Sequence, residues 1–97
     1  MRHDFQNIAR LAIPYALPIV RRLLPGGQVR GQEYVARNPR RADRHPGSFS
    51  VNLHTGRWAD FALDSTARGG DLIALFAYVE NCSQAEACIA LRRMLGR

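Results

Sequence analysis

Lysine is missing from this chain, so all fourteen of its basic side chains are arginines. The phosphate loop GxxxxGK[ST] is therefore absent as well. Cysteine is scarce: Cys82 and Cys88 are the only two, and their spacing is not CxxC. That argues against a disulfide framework or a zinc site and for two small, partly buried apolar side chains. Long apolar runs are also missing. The richest stretch, Ile8 to Leu24, is interrupted by Arg10, Pro14, Pro18, Arg21 and Arg22, too often for a membrane span or a signal peptide. A cytoplasmic protein without a membrane partner is expected. The histidines, His3, His45 and His54, form no metal-ligand spacing, and no serine sits in a nucleophile-elbow context. No catalytic residues and no cofactor are indicated.

What the sequence does have is charge and pattern. Its 97 residues, 46% of them apolar, suit one small core. Net charge is +6 and the pI is near 10.6. A GC-rich genome would favour arginine without any functional cause. The guanidinium fork nevertheless suits phosphate and base contacts, and a basic small domain points to nucleic acid or to an acidic protein surface.

Phe5, Ile8, Leu11 and Ala12 share one helical face, and Pro14 ends or kinks that helix. A second helix is predicted over Leu17 to Leu24, stopped by Pro25-Gly26-Gly27, with Arg21 and Arg22 complementing its dipole. One or two short strands follow within Gln28 to Arg37, then a basic loop from Asn38 to Gly47. Ser48 to Leu53 alternates cleanly, with Phe49, Val51 and Leu53 on one side. His54-Thr55-Gly56 is its turn, and Arg57 to Ala62 is the return strand. Trp58 faces either the core or the open sheet, where it would stack on a base. Asp64 to Gly70 reads as a flexible connection. Asp60 and Asp64, four residues apart, read as cap or ion-pair partners of nearby arginines rather than metal ligands. Asp71 caps an apolar helix, because a carboxylate there would repel a phosphate. Ser83 and Glu86 form a capping box for a last helix with Ala85, Cys88, Ile89 and Leu95 inward and Gly96 as its stop.

The order of these pieces resembles the N-terminal zinc-binding domain of bacterial and phage DNA primases. The resemblance rests on Tyr34-Val35, Asn38-Pro39-Arg40-Arg41, Pro46-Gly47-Ser48-Phe49-Ser50-Val51, Gly56-Arg57-Trp58-Ala59-Asp60-Phe61, Gly69-Gly70-Asp71-Leu72-Ile73 and Ser83-Gln84-Ala85-Glu86-Ala87. It runs from Ala16 to Leu95. Where that family places cysteine and histidine ligands, this chain has Asn38, Arg41, Asp60 and a residue near Asp64. The resemblance therefore implies a metal-free zinc-ribbon-like domain over residues 16–97, preceded by a helical extension at 1–15. Ion pairs such as Arg41–Asp60 or Arg37–Asp64 would stand in for the metal. The fold class expected is α+β: a small antiparallel sheet with an N-terminal helical segment and two C-terminal helices.

In that family the domain performs no chemistry; it presents single-stranded template to a separate catalytic domain. The expectation is a non-enzymatic single-stranded DNA-binding module of a plasmid, phage or other mobile element. Its contacts would be Arg30, Arg37, Arg40, Arg41, Arg44 and Arg57, with Trp58 stacking. The competing expectation is a protein-docking module or inhibitor aimed at a primase, helicase or nuclease. Its apolar surface, or a dimer contact, would come from residues 4–18. Met1 and the stop at Gly96-Arg97 read as natural ends.

Overall fold

The computed structural model describes residues 4–40, 48–62 and 65–97. Helix α1, Phe5–Ala12, begins at Asp4, whose carboxylate accepts from the Asn7 N–H at 3.2 Å. Pro14 kinks the chain rather than ending the helical segment. Ile13–Tyr15 tightens into a 3-10 turn and leads directly into α2, Ala16–Leu23. Pro18 is tolerated there because it lies in the first turn, where an amide N–H would have no helical partner.

Five strands then form a continuous antiparallel meander in the order β1-β2-β3-β4-β5. They are β1 Gln28–Arg30, β2 Glu33–Ala36, β3 Phe49–Asn52, β4 Trp58–Asp60 and β5 Arg68–Gly69. The last two elements are α3, Leu72–Glu80, and α4, Gln84–Met94. Asp71 caps α3 by accepting from the Ala74 N–H at 2.8 Å, and Asn81 ends it in the left-handed conformation. The Ser83–Glu86 capping box is fully formed. The architecture is α+β, with an N-terminal helical segment and two C-terminal helices around one antiparallel sheet.

Alternation within the strands sends Tyr34, Ala36, Phe49, Val51 and Trp58 to one side of the sheet, where they are buried. Helix α3 meets that side through Tyr78, whose ring lies 6.0 Å from that of Phe49 and 5.2 Å from that of Trp58, and α1 packs on α3 and α4. Ile8 and Ala12 of α1 belong to the same apolar core as Leu72, Ile73 and Leu75 of α3. The N-terminal apolar face is therefore largely consumed within the domain.

Four expectations are corrected. The connection before α3 carries a strand, β5, which pairs with β4 through Trp58↔Gly69 and Ala59↔Arg68. Leu53 lies beyond the end of β3, in the turn, although it still packs against the core. Helix α4 turns Ala87, Cys88 and Leu91 inward, while Ile89 is exposed, because α4 packs chiefly on α3 and α1 rather than being surrounded. Phe5, one turn before Ile8, is also exposed. Among the described residues no helix is long and apolar enough to cross a membrane.

Candidate nucleic-acid interface

The side of the sheet opposite the core is the candidate interface. Cross-strand register fixes its members, because directly paired residues share a face. Arg30 lies opposite Glu33, Glu33 opposite Asn52, Ser50 opposite Ala59, and Ala59 opposite Arg68. Arg57 and Phe61 flank β4 in phase with Ala59, so they join this face. A groove of about 800 Å³ runs across it, lined by residues that include Glu33, Asn52, Arg57, Phe61 and Arg68.

Phe61 is 72% exposed in this groove. A phenyl ring so placed is held there by backbone geometry: the Phe61 N–H donates to the Ser48 carbonyl at 2.6 Å and the Asp60 N–H to the Ala67 carbonyl at 2.9 Å. The opposite end of the groove is equally ordered. Asn52 Oδ1 accepts from the His54 and Thr55 N–H groups at 2.9 and 3.0 Å, which fixes the β3–β4 turn. Ser50 Oγ donates to Glu33 Oε1 at 2.7 Å.

Of the residues expected to bind nucleic acid, Arg57 lines the groove and Arg30 lies on the same face at β1. Arg37 is exposed just past the end of β2. Arg40 is engaged elsewhere. Its guanidinium lies 5.1 Å from the centre of the Tyr78 ring, and Nη1 donates to the Tyr78 carbonyl at 3.4 Å near the end of α3. Arg41 and Arg44 lie outside the described residues, as does Asp64, so the ion pairs expected of Arg41 and Asp64 do too.

Trp58 is not an exposed stacking platform. It is 6% exposed, its ring centre 5.6 Å from that of Phe49 and 5.2 Å from that of Tyr78, and its Nε1–H donates to the Asp71 carbonyl at 3.1 Å. The physical reason is strand phase. Trp58 pairs with Val51, a core residue, so the two must share the core side. The same phase puts Phe61 outside. Phe61 and Arg68 are the residues that sequence reading missed. The alternation Arg57-Trp58-Ala59-Asp60-Phe61 carried the signal for the first. Nothing local marked Arg68 as a strand residue.

Asn38 and Asp60 meet in the interior. Asn38 is 1% exposed and Asp60 5%. The Asn38 amide donates to Asp60 Oδ2 at 2.9 Å and to the Tyr78 hydroxyl at 2.7 Å, while Asn38 Oδ1 accepts from the Arg40 N–H at 2.9 Å. Asp60 Oδ1 accepts from the Ala62 N–H at 3.0 Å. This cluster ties the segment after β2 to the end of β4 and to α3. Its donor set does not fit zinc: an amide nitrogen is no ligand, and the polar atoms here are satisfied by hydrogen bonds. Among the described residues, no three His, Cys, Asp or Glu side chains group to hold a metal ion.

The thiols are not activated nucleophiles. Burial pushes the Cys88 thiol up, with Arg92 pulling it back and Asp4 and Asp71 adding to the rise. Burial, then Glu86 and Glu80, raise that of Cys82. Glu86 is held below the usual carboxylate range by hydrogen bonds from Ser83. No protein-family model and no curated protein matches this sequence.

Proposed function

We propose that this chain is a non-catalytic, cytoplasmic module that binds single-stranded DNA across the open face of its sheet. The observation that carries this reading is Phe61, 72% exposed in a groove flanked by Arg57 and Arg68. An aromatic ring beside cations matches the needs of a single strand, whose bases offer stacking faces and whose phosphates need neutralising. The net charge of +6 adds long-range attraction for polyanions. The motifs resembling those of primase zinc-binding domains, in the same order along the chain, support a role in template recognition within a mobile element, with the metal dispensed with.

Fluorescence anisotropy of a labelled oligonucleotide tests this. Phe61→Ala is expected to weaken binding by about 1–3 kcal/mol without loss of fold, since the ring is largely outside the core. Binding through Arg30, Arg57 and Arg68 gives a log–log salt slope near −2, at about −0.7 per phosphate. Absence of binding at low salt refutes the proposal.

A second reading, protein docking, has one supporting observation. Tyr15, 57% exposed, lines a small groove with Pro18, Ile19, Arg22, Met94 and Leu95. Tyr15→Asp separates the two readings: it spares DNA binding, and only a docking role makes it disrupt capture of a partner such as a primase, helicase or nuclease.

A further inference from the structure

The groove contains an acidic residue among its arginines, which a surface built only for phosphate would avoid. Glu33 and Asn52 are direct cross-strand partners on β2 and β3, so their Cβ atoms lie about 5 Å apart. Both line the groove. Their polarity is fixed by neighbours. Asn52 Oδ1 is taken by two backbone N–H groups of the turn, so the atom that remains is Nδ2, a donor. Glu33 Oε1 accepts from Ser50 with one of its two lone pairs, which orients the carboxylate and leaves acceptor capacity on both Oε1 and Oε2. A donor and a two-oxygen acceptor therefore stand side by side at one end of the groove. Arg57 is near them, because the Asn52 N–H donates to the Arg57 carbonyl at 2.7 Å. Phe61 is four residues from Arg57 along the return strand, roughly 13 Å away. The two ends thus address different nucleotides.

We propose that the Glu33–Asn52 end of the groove reads a guanine base; this rests on the single-strand-binding reading above and adds a base preference to it. Guanine is the one base whose pairing edge offers two adjacent donors, N1–H and the N2 amine, beside an acceptor, O6. The carboxylate of Glu33 receives the two donors and Asn52 Nδ2 donates to O6. Adenine and cytosine offer a single donor group to the carboxylate. Thymine sets a carbonyl on each side of its only N–H, and those carbonyls face the carboxylate. Phe61 stacks a neighbouring base without regard to identity, and Arg57 and Arg68 hold the backbone.

The test is anisotropy with short oligothymidine strands carrying one central guanosine, adenosine, cytidine or inosine. The guanosine strand is expected to bind about tenfold more tightly than oligothymidine, the value of a bidentate base contact. Inosine, which lacks the N2 amine, falls between them. Glu33→Gln is expected to bring the affinities of the guanosine and oligothymidine strands to about the same value, while the lost negative charge raises affinity for all strands alike; the amide oxygen still accepts from Ser50. Equal affinity for all strands, or a guanine preference that persists in Glu33→Gln, overturns the base-reading proposal. Either result leaves single-strand binding standing if Phe61→Ala still weakens every strand. Failure of every strand to bind at low salt overturns both.

Discussion

Two glycines show how single residues set this fold. A Cβ built on Gly69 falls 2.6 Å from Cε2, Cζ2 and Nε1 of Trp58, and one on Gly27 falls 2.5 Å from the Tyr34 ring. In both places a buried aromatic lies flat against a backbone that can carry no side chain. Tyr34 fastens its site further, its hydroxyl donating to the Leu24 carbonyl at 2.7 Å and accepting from the Gly27 N–H at 3.1 Å. Gly70 faces open space. Gly69→Ala is therefore expected to cost about 1–3 kcal/mol by overpacking, and Gly70→Ala less than about 0.5 kcal/mol, as read from denaturant midpoints. The Gly-Gly-Asp run was legible in sequence as a helix start, and Asp71 does cap α3. The need for Gly69 was not legible, because the ring that demands it comes from another strand. Trp58 itself was readable in principle: hairpin phase with Val51 decides its side, whereas propensity alone leaves it open.

Among the elements, α1 is the one whose role the structure decides. Its apolar stripe was plain at helical spacing, but a stripe does not name what covers it. Helix α3 supplies the answer. Its own apolar residues lie on nearly all sides, so it meets the sheet through Tyr78 against Phe49 and Trp58 and packs on α1 elsewhere. Ile8, 4% exposed, sits in that contact. Ile8→Ala is expected to destabilise the domain by about 2–5 kcal/mol in chemical denaturation, with no concentration dependence of the midpoint. A midpoint that moved with protein concentration would instead mark α1 as an interface between copies. Strand β5 was the element least legible. Two residues with a single hydrogen-bonded neighbour strand leave almost no periodicity to detect.

At the scale of the whole molecule, the question is which described residues hold the sheet to its helices. The Asn38–Asp60–Tyr78 cluster joins three segments far apart in sequence, and two of its members, Asn38 and Asp60, stand at positions where the resemblance to primase domains would place ligands. Asn38→Ala leaves the Asp60 carboxylate short of one buried donor and is expected to cost about 1–3 kcal/mol. Thermal melting in the presence of a strong chelator is expected to match melting without it. A chelator-dependent fall in the midpoint would show that a metal contributes. The sequence showed that these positions held no cysteine or histidine. It did not show that Asn38 would meet Asp60, because that depends on how the meander brings the segment after β2 beside the end of β4.

Trp58 is the only tryptophan in the chain. Its indole lies beneath the groove, against Gly69 and bonded to the Asp71 carbonyl, among the residues that line the cleft from below. Its ultraviolet emission therefore comes from one place, directly under the surface a ligand would cover. The protein carries a built-in optical reporter, and occupancy of the groove can be followed by quenching or spectral shift without attaching a dye to either molecule.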